Sequence, residues 1–152
     1  MRTVVLAVAS GRPRGWPGDL FRRVTFERGT RAVYPTLRGR RRGLGFRYDA
    51  DVKVPLIDVV RHVTVVFADR TLVPVVFADG PRESPHRYDD GSLCMWYPDD
   101  PAAARWVFAD GLLDLLDLTV NHLVREGLWR RIGEWIGPEA PHTTRHPAGS
   151  RR

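Results

Sequence analysis

A chain of 152 residues, 43% of them hydrophobic, is long enough to bury one compact core and short for two. Its 24 basic residues against 18 acidic ones leave a net charge of +6, a field that attracts phosphate at long range, so nucleic acid has to be weighed as a partner. The single cysteine, Cys94, excludes an intramolecular disulfide framework and a multi-cysteine zinc site, and no run approaches the ~18 to 20 apolar residues of a transmembrane helix.

In chain order, residues 1–19 are expected to be a leader or mobile segment: a minimal apolar run at 3–9, then a Gly/Pro-rich linker that only Trp16 could dock. Val24-Thr25-Phe26 and Ala32-Val33-Tyr34 predict strands about a turn at Arg28-Gly29. Leu20, Phe21 and Val24 would also fit one amphipathic helical turn, and no more than one. Residues 38–43, Arg-Gly-Arg-Arg-Arg-Gly, predict a solvated basic turn. With no aromatic residue interleaved for base stacking, only weak and non-specific nucleic-acid binding is expected of it.

Residues 44–54 alternate polar and apolar positions, predicting a strand with Phe46, Tyr48, Val52 and Val54 inward and a bulge or break at Asp49-Ala50-Asp51. Residues 63–67 and 73–77 are the clearest strands, close enough for an antiparallel hairpin, with Pro74 marking an edge. Asp99-Asp100-Pro101 is a helix-start signal. A longer amphipathic helix is expected over 110–125, ended by Glu126-Gly127. His122 packs from it, and a last turn or two around Leu128, Trp129 and Trp135 precedes a polar, disordered tail at 143–152. Strands followed by helices give an α+β domain with helices on one face of an antiparallel sheet.

Between sheet and helices lies the chemically suggestive stretch, residues 84–98, which holds Cys94. Pro85 and Asp89-Asp90-Gly91 punctuate it as a surface loop, and a turn there would carry His86 back beside the thiol. Taken alone, Cys94 is a small packed hydrophobe, a single metal ligand or a nucleophile. No His-x-x-x-His or Cys-x-x-Cys pair supports a metal hydrolase, and no Gly-x-x-x-x-Gly-Lys-Ser/Thr loop supports nucleotide binding.

Pro85-His86 followed by Asp90-Gly91-Ser92-Leu93-Cys94-Met95 resembles the active-site run of ubiquitin-conjugating enzymes, in which His-Pro-Asn precedes Gly-x-Ile/Leu-Cys-Leu. The prokaryotic members are the most similar: they share Pro-His, a tyrosine, Leu-Cys and a closing segment like residues 133–142, while Pro74-Val75-Val76-Phe77 matches the family's last strand before the active site. The triplet here is His86-Arg87-Tyr88, without the asparagine credited with stabilising the oxyanion.

The resemblance implies a UBC-like α+β fold over residues 20–142: about four antiparallel strands, a cysteine loop and C-terminal helices. It implies a cytoplasmic transferase that forms a thioester on Cys94 with no bound cofactor or metal, and that works in an antiviral defence operon. Its partners would be a ubiquitin-like modifier, a separate ATP-dependent activating enzyme and a target-protein amine, with no membrane. Cys94 is the expected nucleophile, and His86, Tyr88 and His142 are the expected catalytic helpers in place of the asparagine. Asp99 and Asp100 are candidates to orient the amine, or simply helix caps. The alternatives are an inactive binding module of the same fold and a nucleic-acid-binding domain acting through the arginine cluster.

Overall fold

Alternation with a period of two builds most of the sheet, and in the computed structural model, which describes residues 15–69 and 71–138, it runs without interruption from residue 46 to residue 54. Strand β2 (Gly45–Val54) buries Phe46, Tyr48, Ala50, Val52 and Val54 on one face and turns Arg47, Asp49, Asp51 and Lys53 to the other. The bulge expected at Asp49-Ala50-Asp51 is absent because Ala50 occupies an ordinary inward position opposite Val63. Strand β3 (Val59–Phe67) pairs antiparallel with β2, setting Phe46 opposite Phe67 and Tyr48 opposite Val65. Strand β4 (Pro74–Ala78) completes the expected hairpin and lies at the sheet's end, where Pro74 withholds no ladder donor that a neighbour needs.

The order in the four-stranded sheet is β1-β2-β3-β4, and the first strand corrects an expectation. Residues Arg38–Arg42, expected to be a basic turn, form β1, paired antiparallel to β2 from Arg38 opposite Asp49 to Arg42 opposite Gly45. All five residues are exposed. Gly39 explains how a strand forms with no inward side chain: a Cβ there would stand 2.8 Å from the Phe46 ring and 2.9 Å from that of Tyr48, so the two aromatics already fill its place.

The N-terminal region is helical, where strands were expected. Helix α1 (Leu20–Phe26) is capped by Asp19, whose Oδ1 accepts the Arg22 amide at 3.1 Å, and helix α2 (Thr30–Val33) follows Gly29 at φ 74°. The β-branched residues favoured strands locally, but the cap and one-sided burial of Phe26 override them. Phe26 stacks on Phe108 at 4.4 Å and 2°, and Trp16 meets Phe26, Phe46, Phe67 and Phe108 with ring centroids 5.0–5.8 Å apart. Trp16 therefore docks the end of the expected leader, with its indole N–H donating to the Thr71 carbonyl at 3.2 Å.

Helix α3 (Gly111–Ile132) lays Leu112, Leu115, Leu116, Thr119 and Leu123 on the inner face of the sheet, against β2. It runs through Glu126 and Gly127, where its end was expected, and stops at Gly133, whose φ of 76° lets its N–H reach the Trp129 carbonyl at 2.7 Å. Gly127 serves packing: Ile57, in the β2–β3 turn, occupies the space beside it. Among the described residues no helix is long and apolar enough to cross a membrane.

A Cβ on Gly127 would fall 2.6 Å from Ile57 Cδ1 and 2.7 Å from its Cγ2, so rotating one branch does not clear it. Gly127→Ala should therefore destabilise the protein on balance, since overpacking costs about 1–3 kcal/mol against about 1 kcal/mol of helix propensity gained. In an Ile57→Ala background the same change should become neutral or stabilising. Thermal unfolding of the four proteins of this cycle measures the coupling, and additive effects would contradict the packing argument.

Candidate active site

Past β4 the chain folds into a small hairpin that carries the cysteine. An isolated antiparallel bridge joins Arg87 to Leu93, the Tyr88 amide donates to the Ser92 carbonyl at 2.9 Å, and the Cys94 amide donates to the His86 carbonyl at 2.9 Å. Asp90 and Gly91 make the turn. Asp90 Oδ1 accepts both the Ser92 amide at 2.9 Å and its hydroxyl at 2.6 Å, which hold the carboxyl below its ordinary range, and Gly91 takes φ 85°. The Leu93 amide donates to the Val76 carbonyl at 2.8 Å, so the hairpin docks on the otherwise open edge of β4.

Cys94 is thus fixed at the foot of a hydrogen-bonded hairpin and is partly exposed. The expected return of His86 occurs through the backbone. Its imidazole is buried, 4.1 Å from the Trp135 ring at 47° and 6.5 Å from His122, and Trp135 lies 5.5 Å from His122. Tyr88 sits near the tip, 48% exposed. His142 lies outside the described residues. Asp99 and Asp100 do not cap a helix: the next element is a single 3-10 turn, Ala102–Ala104, with Pro101 at its start and no side-chain cap. His122 is buried on α3, as expected.

The residues missed in the sequence are those that anchor the hairpin. Glu126 on α3 has no solvent exposure, and Arg87 reaches it with two parallel bonds, Nε to Oε1 at 2.8 Å and Nη2 to Oε2 at 2.9 Å. Arg87 Nη1 also donates to the Ala78 carbonyl at 3.2 Å. Arg130 adds a bond to Glu126 Oε2 at 3.0 Å and ties down the connecting segment through the Pro81 carbonyl at 2.7 Å and the Glu83 carbonyl at 3.0 Å. His122 Nε2 lies 3.4 Å from Oε1, too long and misaligned to satisfy that nitrogen. Burial alone would raise the Glu126 carboxyl, but the Arg87 guanidinium and the neighbouring His122 outweigh it and hold the group at about 2. A helix face with His122, Glu126 and Arg130 at four-residue spacing was the available signal, obscured by the expected helix end.

A groove of about 450 Å³ opens directly beyond the cysteine, between Met95, Trp96 and Trp106 on one side and Asp110, Asp114, Asp117, Leu118 and Asn121 on the other. Among the described residues no cluster of His, Cys, Asp and Glu could hold a metal ion.

A family model described as Type II CBASS E2 protein matches residues 22–143, from within α1 past the end of the described residues. No curated protein and no solved structure matches the chain.

Removing the Glu126 charge would leave Arg87 buried without its counter-ion, so Glu126→Gln should cost about 3–5 kcal/mol in urea unfolding at pH 7. A carboxyl depressed to about 2 when folded, from an ordinary value near 4.5, stabilises fully above about pH 4.5 and loses that contribution as pH falls towards 2. The gap between wild type and Glu126→Gln should therefore narrow across that window; a gap constant with pH would show that Glu126 is not held ionised by the fold.

Proposed function

Because this chain belongs to the Type II CBASS E2 family, we propose that Cys94 accepts the C-terminal carbonyl of a ubiquitin-like modifier as a thioester and passes it to an amine, within an antiviral defence operon. The observation that carries this reading is the placement of Cys94. The lone thiol is partly exposed, on a hairpin held to β4 through Leu93 and to α3 through Arg87, with a groove beginning at the next residue. Inert cysteines pack in apolar interiors; this one is presented by a rigid support.

The chemistry needs two exchanges. The Cys94 thiolate attacks the modifier's thioester on a separate activating enzyme, which has spent the ATP; a C–S bond forms to Cys94 and the donor's thiolate leaves. An acceptor amine, having lost its proton to solvent or a nearby base, then attacks the same carbonyl; the C–N bond forms, the C–S bond breaks and Cys94 departs as thiolate. In both steps negative charge develops on the carbonyl oxygen, where hydrogen-bond donors act. Backbone amides of the loop, the Tyr88 hydroxyl and His142 are the candidate donors. His86 is better cast as a positioning residue, since its ring packs on Trp135 while its carbonyl fixes the Cys94 amide.

With the cognate activating enzyme, ATP and modifier, wild type should form an adduct that reductant removes, and Cys94→Ala should form none. A reductant-stable adduct surviving in Cys94→Ala would sink the assignment. Single-turnover discharge of a preformed thioester separates the two roles of His86. If the ring positions the loop by packing, His86→Ala should lower Tm and impair charging and discharge together, and His86→Phe should restore much of both. If it is an oxyanion donor, His86→Phe should discharge about 10²- to 10³-fold slower than wild type despite a normal Tm.

A further inference from the structure

We propose that the groove beside Cys94 docks a short basic segment of the acceptor protein, and so selects acceptors whose reactive amine has cationic neighbours. The proposal rests on the amine-transfer reading and adds a substrate class to it. Its first support is position. Met95 and Trp96, the two residues after the cysteine, line the groove, and their Cα atoms lie within about 8 Å of that of Cys94 at 3.8 Å per residue. The other wall is a single helix face: Asp110, Asp114, Asp117, Leu118 and Asn121 follow a three- and four-residue spacing at the start of α3. At 1.5 Å per residue that wall is about 16 Å long, enough for about five residues of an extended chain and too long for one amine alone.

The second support is charge. Three carboxylates, Asp110, Asp114 and Asp117, line the groove against one guanidinium, Arg105. Arg105 is tethered at one edge, its Nε donating to the Asp100 carbonyl at 2.8 Å, which leaves the carboxylates in the majority. Asp110 Oδ2 accepts the Val107 amide at 2.8 Å and Asp117 Oδ1 accepts the Tyr34 hydroxyl at 2.6 Å, so both are oriented and keep an oxygen for a partner. Asp114 is exposed and makes no hydrogen bond or ion pair with any described residue. Opposite, Trp96 stacks on Trp106 with centroids 6.1 Å apart at 27°, offering an aromatic face of the kind that attracts ammonium and guanidinium groups.

The third support is the reaction itself. An acceptor amine with an ordinary value near 10.4 arrives as ammonium, so a basic segment is the partner whose charge the chemistry already requires near Cys94.

The test is titration calorimetry of a hexalysine peptide against the full chain, independent of any modifier. Wild type and Cys94→Ala should bind it alike. Asp114→Lys should weaken binding about tenfold or more, because it places like charge against the peptide. Glu134→Lys, which changes net charge equally beyond the far end of α3, should leave both binding and Tm unchanged, while Asp114→Lys, which reverses a charge in the first turn of α3, should lower Tm slightly and stay folded at the titration temperature. Absence of hexalysine binding, equal weakening by the two reversals, or equal binding of hexaglutamate would each overturn the proposal. Thioester formation measured on the same proteins keeps the two readings apart. Failure to charge Cys94 would remove the transferase reading and, with it, the acceptor assignment, whereas normal charging without hexalysine binding removes the groove alone.

Discussion

A carboxylate with no solvent exposure at the centre of the molecule constrains everything that happens at its surface thiol. Glu126 is stable there only as an anion, because two guanidiniums supply its hydrogen bonds, and Arg87 is tolerable there only as its partner. Neither group has an alternative in the interior. The pair therefore sets one register between α3 and the hairpin, and a sliding of the hairpin by even one residue would bury one charge without the other. Arg87, one of the two residues that depart from the His-Pro-Asn triplet of ubiquitin-conjugating enzymes, is the one that makes this tie.

The remaining supports of the hairpin are shared out among elements far apart in sequence. Leu93 makes a backbone bond to β4, Arg130 holds the connecting segment, and Trp135, beyond the end of α3, lies against the His86 ring. Beneath them the sheet is stiffened by a cluster of aromatic rings in which Trp16 and Phe26 bring the N-terminal helices onto β2 and β3. Rigid support would suit the proposed acyl transfer, in which small displacements of a nucleophile are costly.

How much of the fold and the site was legible in the sequence depends on the range over which each signal acts. Alternation in β2, β3 and β4 is local and survives folding, so the inner face of the sheet and the hairpin were readable, as was the cysteine loop with its Asp-Gly turn. Strand β1 was not, because Gly39 contributes no apolar side chain and arginines carry no period. Helices of seven and four residues show almost no amphipathic pattern, and Asp19, Gly29 and the docking of Phe26 decide them. Gly127 looked like a helix terminator because Ile57, which needs the space, is supplied by a distant turn. Arg87 and Glu126 are 39 residues apart, and nothing short of the fold announces that two charges will meet in the interior. The place of the His86 ring likewise depended on Trp135, from the other end of the domain.

The exposed arginines of β1 bear on how copies of this protein behave towards one another. A strand at the rim of a sheet has unused backbone donors and acceptors, and two such rims can zip together into a continuous sheet. Here any second copy approaching that rim would bring Arg38, Arg40, Arg41 and Arg42 against the same four residues. The opposite rim is occupied where Leu93 bonds Val76 and is interrupted at Pro74. Charge closes one border of the sheet and the cysteine hairpin covers the other, so the element that presents the thiol also shields the fold from self-association.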